Sequence, residues 1–178
     1  MPDRRTQLAD AALAVVAAQG LKGLTHRAVD AQAGVAVGTT SNYFRNRATL
    51  VAAAVDRVEE LDNLLLQQGA RERPTSVAAV AGQVAGAVMG LAQENAGLTR
   101  ARFVFALDQP EVVAAGHERL VSALAQLLED MGVTEPRARA EAVSDYSDGL
   151  VLHLLTSRKG RGISKERVAE NIQRLLEA

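Results

Sequence analysis

An all-α fold follows from two properties of this chain of 178 residues. Apolar residues recur at three- and four-residue spacing along nearly its whole length, and no stretch alternates polar with apolar as a half-buried strand would. Glycines, prolines and capping residues then cut that pattern into about nine segments of helical length.

The first helix is expected over residues 3–19, with Leu8, Ala12, Val15 and Val16 on one face and Gly20 as its stop. Leu21 and Leu24 bracket a short loop, and Thr25 is an N-cap for a second helix that runs to Ala33 and turns Val29 and Ala33 inward. Gly34 supplies the left-handed conformation that a Cβ resists. A third helix, residues 37–44, has only two turns and must be held by packing through Val35, Thr40 and Phe44. The fourth, residues 47–68, carries Leu50, Val51, Ala54, Val58, Leu61 and Leu65 as an apolar stripe.

Residues 68–76 break the pattern. Thr75 or Ser76 caps a helix to about residue 95, Gly97 separates it from a short helix to about residue 107, and Pro110 opens another to about residue 131. Residues 132–136 are a clear break. The last two helices, 136–157 and 164–177, are joined by a basic loop at 158–162. Gly82, Gly86 and Gly90 lie four apart, each costing about 1 kcal/mol relative to Ala. Their expected purpose is close helix approach, with room for a ligand as the alternative.

Composition narrows the function. The chain has no cysteine, which removes disulfides and thiolate chemistry and suits a reducing compartment. Residues 1–5 run straight into an amphipathic segment with no hydrophobic leader. The longest apolar run, residues 77–92, is interrupted by Gln83 and falls short of a membrane span. A cytoplasmic protein with no membrane partner is expected. Net charge is −1, but residues 1–50 hold six Lys/Arg against three Asp/Glu, and residues 51–178 hold fourteen against eighteen. Phosphate attraction is therefore concentrated in the first quarter.

No nucleophile elbow, phosphate loop or dinucleotide fingerprint occurs. His117 and His153 with Asp145 and Asp148 make a poor metal or acid–base set, because His153 is rotated about 140° off the face shared by the two aspartates. No catalytic residue, metal or cofactor is expected.

Residues 25–50 carry the strongest signal: two short helices around a glycine turn, then a basic start to a third. That order suits a helix-turn-helix, which lays its second helix in the major groove. Val37, Gly38, Thr39, Ser41 and Asn42 would face base edges, and Asn42 suits an adenine. Thr25, Arg27, Tyr43 and Arg47 surround them and would bind phosphate, positioning the protein without specifying sequence.

The strings Leu24–Val29 (LTHRAV), Ala33-Gly34-Val35, Gly38-Thr39-Thr40 and Asn42-Tyr43-Phe44-Arg45-Asn46-Arg47, with Leu50, closely resemble the N-terminal domain of the tetracycline-repressor (TetR) family. The resemblance is specific over residues 5–52. It places that family's DNA contacts on Thr25, Arg27, Val37, Gly38, Thr39, Ser41, Asn42, Tyr43 and Arg47. Three positions depart from the pattern: Asp30 stands for a small apolar residue, Thr40 for an aliphatic one, and Ser41 for a DNA-contacting Tyr. Asp30 and Thr40 either lower stability or pair with each other or with Thr39.

The resemblance implies a helix-turn-helix domain at 1–46 and a helical ligand-binding and dimerisation domain at 47–178. It further implies a homodimer through the helices at 136–157 and 164–177, a double-stranded DNA operator, a small-molecule effector, and most often repression. Val143, Leu150, Val151, Leu154 and Leu155 with Val168, Ile172, Leu175 and Leu176 form more apolar surface than one terminal hairpin hides, and a two-fold partner is the simplest cover. Phe103, Phe105, His117 and Tyr146 are the ligand-lining candidates, since a pocket needs apolar walls with a few orienting polar groups. The rival expectation is a helical small-molecule-binding or scaffolding protein that has lost DNA binding, with Asp30 and Thr40 as marks of a degraded reader.

Overall fold

The structure, a computed structural model, describes residues 3–69 and 73–177, without the side chains at 62, 63, 65–69 and 112. The Leu65 side chain of the expected stripe and residues 70–72 of the expected linker therefore lie outside what is described. Among these there are nine α-helices and no strand: α1 (Arg4–Gly23), α2 (His26–Ala33), α3 (Thr39–Tyr43), α4 (Arg47–Gly69), α5 (Val77–Met89), α6 (Ala96–Asp108), α7 (Pro110–Asp130), α8 (Pro136–Leu155) and α9 (Lys165–Glu177).

Local chemistry sets the helix ends. The Asp3 carboxylate accepts from the Thr6 N–H at 2.7 Å to start α1, and helical geometry is interrupted at Gly20, where φ is +70°. Thr25 caps α2 through the Ala28 N–H at 3.1 Å, and Gly34 ends it at φ +65°. At the start of α4 the Asn46 side-chain amide oxygen Oδ1 accepts from the Thr49 N–H at 2.9 Å, while the Thr49 hydroxyl accepts from the Asn46 N–H at 3.3 Å, a reciprocal cap. Ser76 caps α5.

Several elements differ from the sequence reading: α1 runs on past the kink at Gly20 to Gly23, over residues expected to form a loop. Helix α3 starts at Thr39, because Val37 and Gly38 form the turn and Gly38 has φ +94°. The apolar helix after Ser76 ends at Met89 and continues as a π turn, Gly90–Glu94, closed by the backbone N–H and side-chain amide of Asn95 on the Gly90 carbonyl. Gly97 then lies inside the first turn of α6 and separates nothing. The glycine stripe of α5 is also not what lets a helix come close. A Cβ at Gly82 or Gly90 would meet nothing within 4 Å, and one at Gly86 only the end of the flexible Lys165 side chain at 3.3 Å.

The chain forms two compact units, Met1–Asn63 with Gly97–Ala114, and Leu64–Ala96 with Ala115–Ala178. In the first, Leu8, Val15 and Val16 of α1, Val29 of α2, Phe44, and Leu50, Ala54 and Val58 of α4 share one buried cluster with Ala101 and Phe105 of α6. In the second, α5 and α9 make the most extensive helix pairing, and α9 buries Val168, Ile172 and Leu176. The stripe on α9 is thus already covered within the chain, so it does not by itself call for a partner; on α8, Leu152 stays exposed.

Residues Val77–Glu94 reach a mean hydropathy of 1.2 over 18 residues, enough by length and composition alone to cross a membrane. Here they are α5 and the π turn, with Val80, Ala81, Ala85 and Val88 buried in the second unit.

Candidate nucleic-acid interface

Helix α3 has five residues and no capping side chain of its own. An isolated helix of that length does not hold in water, so neighbours must fix it. Thr40 and Phe44 point inward and are fully buried. Arg5 of α1 lies over the Phe44 ring, 4.9 Å from its centroid, a cation–π contact.

The polar support comes from α2. Asp30 is 1% exposed and its carboxylate accepts three hydrogen bonds: from the Gly38 N–H at 2.7 Å, from the Thr40 N–H at 2.7 Å, and from the Thr40 hydroxyl at 2.5 Å. Burial pushes this carboxyl up, but the Thr40 hydroxyl and N–H, the Gly38 N–H and a smaller contribution from His26 outweigh it and hold the pKa below the ordinary carboxylate value. Asp30 and Thr40 therefore pair with each other. Thr39 bonds elsewhere, its hydroxyl donating to the Ala36 carbonyl at 2.6 Å. One turn before Asp30, the His26 ring Nε2–H donates to the Phe44 carbonyl at 2.6 Å. Sequence reading passed over His26; its i,i+4 relation to Asp30 was the available signal.

Held this way, α3 and its turn present Val37 (81% exposed), Ser41, Asn42 and Tyr43 to solvent, with Gly38 and Thr39 half-buried. The Ser41 hydroxyl donates to the Gly38 carbonyl at 2.8 Å. Among the described residues the side chains of Asn42, Tyr43, Arg27 and Arg45 make no hydrogen bond or ion pair, and all four are exposed. The Thr25 hydroxyl accepts in its cap and keeps its proton to donate outward. Arg47 is partly engaged: its guanidinium donates to the Leu24 carbonyl and, at 2.6 Å, to the Leu21 carbonyl, leaving its remaining N–H groups free. The nine positions thus surround one short helix, with small neutral groups at its centre and Thr25, Arg27, Tyr43 and Arg47 about it.

The four ligand-lining candidates are distributed differently. Phe105 is fully buried in the core of the first unit and Phe103 is half-buried on the same helix. His117, on α7 in the second unit, is exposed, and Tyr146 is half-buried with its hydroxyl accepting from the Asn171 amide at 2.9 Å. An open cleft of about 530 Å³ in the second unit is lined by Arg73, Pro74, Ser76, Leu127, Asp130 and Met131, among others, and by none of the four.

Residues 8–54 match the model of the family described as bacterial regulatory proteins, tetR family, and residues 75–178 match the tetracyclin repressor-like C-terminal domain. A transcriptional regulator from Rhodococcus sp. Rha1 has a similar structure, with a TM-score of 0.80 at 21% identity over 98% of this chain and 94% of that one. A TetR-family member from Streptomyces coelicolor A3 gives 0.78 at 24% identity over 99% and 100%. The multidrug-binding protein EbrR, complexed with imidazole, gives 0.65 at 26% identity over 100% and 97%. No curated protein matches the sequence significantly. Both family models, which together span all but residues 1–7 and 55–74, lead to one conclusion: the chain belongs to the TetR family of DNA-binding transcriptional regulators.

Proposed function

We propose that the protein is a cytoplasmic, homodimeric repressor that binds a pseudo-palindromic operator through α3 and leaves it when a small molecule binds. Residues 1–46 act as the reader, and residues 47–178 serve ligand binding and dimerisation through α8 and α9. The observation that carries this reading is the Asp30–Thr40 pairing. It removes the two residues that would have marked a degraded reader, since each satisfies the other and both support α3. Val37, Gly38, Thr39, Ser41 and Asn42 then read bases through methyl contacts, backbone approach and one amide, while Thr25, Arg27, Tyr43 and Arg47 bind phosphates.

Ligand response rests on the family and on EbrR, which binds imidazole in its solved complex. Of the candidates, Phe103 and Tyr146 keep part of their rings uncovered, whereas Phe105 already packs in a core. In our reading a ligand shifts α4, which runs unbroken from the first unit into the second. The separation of the two reading helices in the dimer then departs from the roughly 34–36 Å, or a multiple, that successive grooves require.

Titration of the protein with the intergenic DNA upstream of its own gene tests the function. Selective, salt-sensitive binding supports it. Its absence favours the helical binding protein without DNA activity.

A further inference from the structure

We infer that His26 and Asp30 are specificity-determining positioning residues, a two-ended grip by which α2 sets the pitch of the reading helix on DNA. The inference rests on α3 being the reader. Helix α3 offers few other means of fixing its orientation. Its inward side chains are Thr40 and Phe44, and apolar burial is non-directional, so a helix of five residues resting on them can rock at little cost. Hydrogen bonds are directional, and here they sit at both ends: Asp30 on the Gly38 and Thr40 N–H groups at the start of the helix, His26 on the Phe44 carbonyl just after it. Both gripping side chains, the accepting Asp30 and the donating His26, belong to one face of α2, a single turn apart. That helix is itself anchored, by the Thr25 cap at its start and at its end by the Gln7 amide of α1 on the Ala33 carbonyl at 3.2 Å.

A second consequence follows from the charge. The N–H groups at the start of a helix ordinarily attract a phosphate. At α3 the Gly38 and Thr40 N–H groups are taken by the Asp30 carboxylate and the Thr39 N–H by the Ala36 carbonyl, so these groups are not offered to a phosphate and α3 approaches DNA through its outward side chains. Base discrimination then depends on how accurately α2 holds α3, whereas the phosphate attraction supplied from outside α3, by Thr25 and Arg27 at α2 and Arg47 at α4, does not.

The test separates the two. Wild-type protein is used to select a binding motif from random-sequence duplexes. Affinities for that duplex and for a scrambled duplex of the same composition are then compared for Asp30→Asn, His26→Leu and His26→Gln, with helicity and thermal midpoint recorded for each. Asp30→Asn turns an amide N–H₂ toward backbone N–H groups, and His26→Leu leaves the Phe44 carbonyl without its donor. Both should lose about tenfold or more in the ratio of selected to scrambled affinity, the loss caused by one or two misread base pairs, with scrambled binding and its salt slope unchanged. His26→Gln, whose amide still donates to Phe44, should recover most of the ratio. If Asp30→Asn does not fold, the Leu and Gln variants at His26 decide alone. Folded variants that keep the wild-type ratio, or that lose selected and scrambled binding in equal proportion, overturn the inference. A wild-type chain that selects no motif overturns the reading of α3 as reader.

Discussion

At the scale of single residues, the turn between α2 and α3 is built around a buried charge. Replacing Asp30 by Ala leaves the Gly38 and Thr40 N–H groups and the Thr40 hydroxyl without acceptors. The expected cost is on the order of 3 kcal/mol in urea unfolding, while Thr40→Val, which removes one hydroxyl bond, should cost about 1 kcal/mol. The pH dependence has a definite sign. Because the folded pKa of Asp30 lies below its ordinary 3.8, its stabilisation is complete above 3.8 and disappears as pH falls through the lower folded value. The stability gap between wild type and Asp30→Ala should therefore be constant near neutral pH and close in acid. The variant is needed as reference because Glu118, held at about 2 first of all by the Arg137 guanidinium, titrates in the same acid limb. Arg47 calls for similar care. Since it donates to the Leu21 carbonyl in the last turn of α1 and to the Leu24 carbonyl just after it, Arg47→Ala should lower the thermal midpoint as well as weaken DNA binding, whereas Tyr43→Phe should affect DNA binding alone.

At the scale of elements, most helices were legible in the sequence because their ends are written in local chemistry: Thr25, Ser76 and Pro110 at starts, and Gly34 and Gly132 at stops. The π turn after Met89 was not, since a helix that widens for a single turn has no composition signal distinct from the helix it extends. The start of α3 was misplaced by two residues because the positive φ of Gly38 looks in sequence like any glycine near a helix start. Asp30 and Thr40 were legible as anomalies, and the nine candidate contact positions as a pattern about one short helix. The pairing of Asp30 with Thr40 was one of the outcomes the sequence left open, because only the turn geometry decides whether residues ten apart come into contact. Nor could periodicity say that α6 joins the core of the first unit: an apolar face shows that a partner exists, not which one. Two glycines give opposite expectations. Gly38→Ala should destabilise by about 1–2 kcal/mol through backbone strain alone, since its Cβ meets no atom within 4 Å. Gly82→Ala, mid-helix and facing open space, should stabilise by about 0.5–1 kcal/mol. Thermal unfolding of the two variants checks both.

At the scale of the whole molecule, charge and architecture divide the labour. The first fifty residues carry an excess of three positive charges and the remainder an excess of four negative ones, so DNA attraction is local to the reader. The exposed face of α3 is small and neutral, and in the proposed function sequence choice therefore falls to shape, methyl groups and Asn42 rather than to an Arg–guanine pair. That reader, seated on α2 by a buried carboxylate, is the central claim. It is tested most directly by fluorescence anisotropy of the intact protein on the intergenic duplex upstream of its gene and on a scrambled duplex of equal length, each over a series of salt concentrations. The account predicts tight, salt-sensitive binding to the first and much weaker binding to the second, with Asn42→Ala narrowing the difference. Equal affinity for both duplexes, or for neither, contradicts it.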